Sequence, residues 1–157
     1  MSYVEENSKI WDERSENNDI WSIPVTKEMV QNAKEGNWSI LLTPTKPVPK
    51  EWFPENLKDK KILCLASGGG QQGPILAATG AEVTVFDNST KQLEKDNFVA
   101  QRDNLKIKTV QGNMQDLSVF CSYLATSMAT PNAKKALIQA LIGPFPSPAF
   151  SKDCPSF

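Results

Sequence analysis

Apolar runs alternate with amphipathic stretches between residues 60 and 111, and their order predicts the central fold. KKILCLA (60–66) is almost entirely apolar, which is typical of a strand buried on both faces of a parallel sheet. QQGPILAATG (71–80) predicts a helix that ends at Gly80, and EVTVF (82–86) predicts a second strand rich in β-branched residues. These segments predict one strand-helix-strand unit.

A further helix and strand extend this unit. NSTKQLEKDNFVAQRDN (88–104) opens with Ser89 and Gln92 at the spacing of a capping box and predicts a helix. LKIKTV (105–110) alternates as a strand does, and right-handed crossovers would place the three strands in the order 3-2-1. The predicted fold class is α/β, a partial Rossmann-like three-layer sandwich that lacks its later strands.

The segments on either side of this unit differ from it in composition and in predicted secondary structure. Before it, two helices are predicted, over residues 4–16 and from Thr26 to Gly36, followed by the proline-rich connector TPTKPVPKEWFP (43–54). After it, the last stretch holds four charged residues and five prolines, and predicts one helix over 131–142. The predicted regions are a helical cover with its connector (1–60), a cofactor-binding half-domain (61–120) and a divergent helix with a proline-rich tail (121–157).

The missing fourth strand would leave the first strand at an open sheet edge. Such an edge favours association, so a homo-oligomer formed through it is one expectation, and cover by the helix 131–142 is another. A third hypothesis is that residues 121–157 are the altered end of a longer gene product.

Composition narrows the classes of function. The 157 residues carry a net charge of −1 without a basic stripe, and no apolar run reaches the length of a membrane span, so neither nucleic acid nor membrane is an expected partner. The start MSYVEENSKI lacks the features of a signal peptide, which predicts a cytoplasmic protein. The absence of histidine excludes a Ser-His-Asp mechanism, and three widely spaced cysteines indicate neither disulfides nor a metal site.

A glycine turn is the main candidate for chemistry. Gly68, Gly70 and Gly73 stand in G-x-G-x-x-G spacing between a strand and a helix, where bare backbone lets a ligand approach. Asp87 ends the second strand in the same crevice, and its carboxylate can accept both hydroxyl protons of a ribose. The plainer interpretation is that the glycines only turn the chain and that Asp87 caps the next helix.

VQGNMQDL (110–117) follows the third strand at the edge where open α/β sheets bind ligands. The amide of Asn113 can hydrogen-bond an adenine edge, and the thioether of Met114 can pack on the ring. Taken alone, Asn113 is more often a turn residue, and Met114 more often fills a core.

These motifs resemble those of the class I S-adenosylmethionine-dependent methyltransferases. ILCLASGGG is similar to their first motif, VTVFDNS to their second-strand acid motif, and VQGNMQDL to the segment that borders the adenine. The stretch from WDERSENNDIWSIPVTKE to PTKPVPKEWFP is similar to the N-terminal region of a subgroup of these enzymes. The resemblance therefore extends over residues 1–120.

The resemblance implies S-adenosylmethionine as cofactor and a set of residues that bind it. The turn would line the methionine part, Asp87 would hold the ribose, and Asn113 with Met114 would flank the adenine. The whole expected set is Ser67, Gly68, Gly69, Gly70, Asp87, Asn88, Asn113 and Met114. The chain departs from the family at Cys64, Ala66 and Asn113, where an acid, a glycine and an aspartate are usual.

The predicted function is S-adenosylmethionine-dependent methyl transfer to an unidentified acceptor. No catalytic side chain is predicted, and activity is expected only if a partner chain or a dimer completes the crevice. Two alternatives stay open: an NAD(P)- or FAD-binding oxidoreductase domain, and a non-catalytic cofactor-binding or interaction protein.

Overall fold

The computed structural model describes residues 2–43 and 45–116. In chain order the helices are α1 (Tyr3–Glu16), α2 (Lys27–Lys34), α3 (Gln72–Ala78) and α4 (Thr90–Asp103), with short 3-10 turns at Ile20–Ser22 and Lys50–Trp52. The strands are β1 (Leu41–Thr43), β2 (Lys46–Pro47), β3 (Lys61–Leu65), β4 (Glu82–Asp87) and β5 (Ile107–Gln111).

The central sheet is parallel, in the order β3-β4-β5. This is the predicted 3-2-1 arrangement of a partial Rossmann-like α/β fold, which the structure confirms. Leu65 pairs with Phe86, and Asp87 pairs with Gln111, so the carboxyl ends of all three strands meet at one edge of the sheet. In such sheets that edge is where ligands bind.

Both crossover helices pack on the same face of the sheet, as successive right-handed crossovers in one direction require. On that face, Ile62 and Val85 join the buried side chains of α3 and α4 in the main core. A smaller apolar cluster forms on the opposite face around Leu63 and Phe86. Cys64 lies in the main core, and burial raises the pKa of its thiol to about 12, so the thiol stays protonated and unreactive.

The N-terminal region packs against the crossover helices: α1 contacts α4, and α2 contacts α3. The predicted caps are present, since the Thr26 side chain accepts from Met29 N and the Ser89 side chain accepts from Gln92 N. Gln92 completes no capping box, because the Ser89 N–H that it would bind donates to Asp87 Oδ1, and the Gln92 side chain donates to Ser22 Oγ at 2.6 Å. Long-range packing thus replaces the local contact that the sequence predicts.

Two short strands form at the start of the proline-rich connector. β1 and β2 form a short antiparallel hairpin, and Val48 N continues it by donating to Ile40 O at 2.8 Å. Prolines are tolerated in such a two-stranded ribbon because each lacks only one N–H, which can face away from the partner strand.

Several predictions lie outside the described residues: the helix 131–142, the tail and the altered-end hypothesis. The three-region division likewise stays a prediction. Across residues 2–43 and 45–116, no helix is long and apolar enough to cross a membrane. The same residues form no group of three or more acidic or cysteine side chains that could hold a metal ion.

Candidate functional site

The glycine turn leaves the carboxyl end of β3 in unusual backbone conformations. Gly69 and Gly70 have φ values of +108° and +73°, in a region that favours glycine. Ala66 also has a positive φ, +47°, at the position where the methyltransferase resemblance leads us to expect glycine. Ala66 therefore adopts the backbone conformation that glycine would adopt at this position, at a cost in backbone strain.

The three glycine N–H groups at positions 68–70 of the turn are bound by the protein itself. Gly68 N donates to Asp87 Oδ2 at 2.9 Å, and Gly69 N donates to the Gln92 carbonyl at 3.0 Å. Gly70 N donates to Asp96 Oδ2 at 3.2 Å. Two carboxyl groups and one carbonyl thus lie beneath three consecutive amides, so none of these amides is left to receive an anion.

The glycines are required by packing within the protein. A Cβ on Gly68 would lie 2.6 Å from Gln92 Cβ, and a Cβ on Gly69 would lie 2.6 Å from the carbonyl oxygen of Trp21. A Cβ on Gly70 would lie 3.0 Å from the Lys95 carbonyl oxygen. The sequence led us to expect that bare backbone here serves the approach of a ligand; in the structure, α4 and the segment around Trp21 occupy that space.

Asp87 lies beside the turn, as the sequence predicts. It is half-buried; its Oδ2 accepts from Gly68 N, and its Oδ1 accepts from Ser89 N at 2.9 Å. Burial raises the pKa of this carboxyl, the backbone N–H groups of Ser89, Gly68 and Asn88 oppose the shift, and the nearby Asp12 adds to it. Each oxygen has a second lone pair, so the carboxylate can still accept two hydroxyl protons.

Asn88 is held by α1. Its Nδ2 donates to Val4 O at 2.8 Å, and its carbonyl accepts from Ser8 Oγ at 2.9 Å. Asp12 Oδ1 accepts from both the Ser89 hydroxyl and Lys91 N, at the start of α4. These bonds fix α1 against the residues that directly follow Asp87.

The predicted adenine segment begins beside Asp87 and then departs from it. Gly112 N donates to the Asp87 carbonyl at 3.0 Å. Asn113 Oδ1 accepts from Gln115 N at 3.0 Å, which is a local turn contact, and Met114 is 38% exposed. The structure therefore brings Ser67 to Gly70 and Asp87 together, whereas no hydrogen bond described joins the Asn113 side chain to them.

Two residues that shape the turn, Gln92 and Asp96, were not among the predicted site residues. Both are buried on α4, in a stripe that they share with Leu93 and Val99. A polar residue at a core position of an amphipathic helix is the signal that could have found them, since such residues are seldom buried without a partner.

Comparison with known proteins provides one informative match. No protein-family model matches the chain. Over 117 residues, which are 74% of the chain, it is 57% identical to a protein of Bacillus subtilis (strain 168) named "Uncharacterized methyltransferase YbaJ". The chain spans 46% of the length of that relative, so about half of the relative has no counterpart in this match.

Proposed function

We propose that the chain binds S-adenosylmethionine and forms the cofactor-binding part of a methyltransferase. The likeness to a protein named as a methyltransferase supports methyl transfer, and the parallel sheet with its glycine turn supports a nucleoside cofactor. The observation that carries the proposal is that two carboxyl groups accept the N–H bonds of the turn. These amides are then not available to phosphate, which favours a cofactor without phosphate.

The turn favours a cationic ligand over an anionic one. Asp87 and Asp96 occupy the Gly68 and Gly70 amides that a pyrophosphate would need, and the Asp87 carboxylate would repel phosphate oxygens. S-adenosylmethionine carries a positive sulfonium and no phosphate. The same observation argues against the NAD(P) or FAD alternative.

The residues present fit this cofactor. Asp87 would accept the ribose hydroxyls with its remaining lone pairs. Within the part of the chain that the structure describes, the buried Ser67 hydroxyl has no hydrogen-bond partner, which supports a role in binding the methionine part. Asn113 and Met114 would approach the adenine, with Met114 exposed enough to pack on the ring.

The chemistry asks little of the protein's own side chains. The cofactor, when bound, supplies an activated methyl group on a good leaving group. The residues of the turn and Asp87 would orient that group, and the acceptor would need only alignment with it. We name no catalytic residue, because the chain spans 46% of its relative and the described residues form the cofactor side of the proposed crevice.

A second candidate function is a non-catalytic one, in which the sheet edge joins another protein. Within the described residues β3 lies at one end of the strand order, with β4 as its one neighbour. A strand from a partner, including a second copy of this chain, could extend the sheet there. This candidate predicts association without methyl transfer.

Titration calorimetry of the full chain with S-adenosylhomocysteine and with NADH tests the choice of cofactor. We expect saturable binding of S-adenosylhomocysteine and no binding of NADH. The reverse result would overturn the proposal. Asp87→Asn should weaken the affinity by about tenfold or more, since a charged acceptor is worth roughly 1.5–3 kcal/mol. Glu82→Gln, an exposed acid at the start of the same strand, should leave it unchanged.

Incubation with S-adenosylmethionine labelled on the methyl group separates the enzyme from the binding protein. The methyltransferase proposal expects labelled acceptor once the crevice is complete. Binding of the cofactor with no transfer in any oligomeric state would favour the non-catalytic candidate.

A further inference from the structure

Asp96 lies beneath the glycine turn, on the buried stripe of α4. Its side chain is fully buried, with 0% exposure. Its Oδ2 accepts the Gly70 N–H at 3.2 Å, and its Oδ1 lies 3.2 Å from the position that a Cβ on Gly73 would take. The carboxyl group thus lies between the turn and the start of α3.

The bond to Gly70 matters because the amide is buried. Gly70 is held on its other side as well, where its carbonyl accepts from Val25 N at 2.9 Å. A buried N–H that loses its acceptor has no water to replace it, so removal of the Asp96 carboxyl would destabilise this conformation of the turn. Asp96 is therefore placed to control where the Gly70 backbone lies.

The surroundings of Asp96 disfavour a negative charge. The Cys64 thiol faces it from β3, the Asp87 carboxylate from β4, and α3 contains no ionisable side chain. Lys95 is the next residue before Asp96 on α4, but its ammonium donates to Asn18 Oδ1. Burial raises the pKa of Asp96 to about 8; the backbone N–H groups of Gly70 and Gly69 oppose this shift, and the charge of Asp87 adds to it.

The hydrogen bonds of Asp96 offer a negative charge little stabilisation. Oδ2 is engaged as an acceptor, whereas Oδ1 has no partner in the described part of the chain. The proton therefore belongs on Oδ1, and a neutral Asp96 presents one carbonyl-like acceptor to Gly70. An asparagine side chain has the same shape and the same acceptor.

We propose that Asp96 is a positioning residue that acts as a neutral group and holds the glycine turn in its ligand-binding shape through the Gly70 amide. It does not touch the ligand; it acts through the backbone of the turn. Its effect on cofactor affinity rests on the proposed function, whereas its effect on the turn does not.

The sign of the pH dependence follows from the raised pKa. The folded protein holds the proton of Asp96 up to about pH 8, while an unfolded chain releases it near the ordinary value of 3.8. Between these values the folded state binds more protons, so stability falls as the pH rises through this window. The asparagine side chain in Asp96→Asn does not titrate, so this variant should lack the loss of stability that Asp96 causes as the pH rises.

Hydrogen exchange of the full chain, followed by NMR, tests the contact with Gly70 in the absence of ligand. Asp96→Ala should reduce the protection of the Gly70 amide by about tenfold or more, while the core amide of Val85 keeps its protection. Asp96→Asn should retain the protection of both amides. Unchanged protection of Gly70 in the alanine variant would overturn the proposal.

Thermal unfolding from about pH 5 to about pH 9 tests the neutral state, and it also decides the case if the alanine variant does not fold. The midpoint of the wild-type protein should fall relative to Asp96→Asn as the pH rises. Glu94→Gln, an exposed acid of the same helix, should follow the wild type. Parallel profiles for the wild type and Asp96→Asn would show that Asp96 is not neutral, and would overturn the proposal.

The affinity for S-adenosylhomocysteine, measured near pH 6, tests the proposed cofactor and the positioning role of Asp96 together. Asp96→Asn should bind as the wild type does, and Asp96→Ala about tenfold more weakly. If the wild type does not bind, the proposed function fails, and the exchange and pH experiments still decide the role of Asp96. Equal affinity of a folded alanine variant and the wild type would contradict the positioning role.

Discussion

The glycine turn and the segment after β5 both supply predicted cofactor contacts, but the protein holds them in different ways. The turn is bonded to residues far along the chain: Gly68 to Asp87, and Gly70 to Asp96. In the other segment, Asn113 bonds to Gln115, two residues away. Tertiary contacts thus determine the conformation of the first region, and local contacts determine that of the second.

The change from tertiary to local contacts occurs between two adjacent residues, Gly112 and Asn113. Gly112 is still fixed by tertiary structure, because its N–H donates to the Asp87 carbonyl and a Cβ there would lie 2.5 Å from the Phe86 ring. Asn113 follows directly and has local bonds. We infer that the ribose side of the proposed site is organised before a ligand binds, whereas the adenine side depends more on the ligand itself.

The largest expected effect comes from substitution in the turn. Gly69→Ala should lower the free energy of unfolding by about 2–5 kcal/mol, since the positive φ costs about 1–2 kcal/mol and the overpacking about 1–3 kcal/mol more. The overpacking arises because the new Cβ would lie 2.6 Å from the Trp21 carbonyl oxygen and 2.7 Å from Gln92 Oε1. Urea unfolding measures the change.

Gly36 offers a matched control for this prediction. It has a similar φ of +92°, but nothing lies within 4 Å of the position that its Cβ would take. Gly36→Ala should therefore cost only the backbone component, about 1–2 kcal/mol. Equal losses in the two variants would mean that tertiary packing does not determine the turn.

The sequence predicts the fold and the neighbourhood of Asp87, but not what fills the turn. The strands follow from short apolar runs, and the meeting of Gly68 with Asp87 follows from the shared edge of parallel strands. The partners of Gly69 and Gly70 lie on the buried face of α4, and a local pattern does not reveal which backbone amide a buried polar side chain will bind. The short hairpin β1-β2 was missed for a related reason, because prolines mask a strand pattern.

A smaller effect, of opposite sign, is expected at the start of the turn. Ala66 has a φ of +47° and is exposed, so Ala66→Gly would relieve backbone strain at little cost in packing. Glycine also makes the unfolded chain more flexible, which leaves an expected net gain of about 0.5–1 kcal/mol in unfolding free energy. Ala100→Gly, within α4, should instead lose about 1 kcal/mol. A loss in the Ala66 variant would show that the turn is not strained there.

The smallest effect on stability is expected in the segment after β5. Met114 is 38% exposed, so Met114→Ala should change the free energy of unfolding by less than about 0.5 kcal/mol. If the thioether packs on the adenine, the affinity for S-adenosylhomocysteine should still fall by roughly two- to tenfold, since a sulfur-aromatic contact is worth about 0.3–1.5 kcal/mol. Met29→Ala, at a residue of α2 that is 47% exposed, should affect neither quantity. Calorimetry of both variants decides the matter, because an affinity unchanged by Met114→Ala would remove this residue from the adenine side and leave the turn and Asp87 as the proposed site.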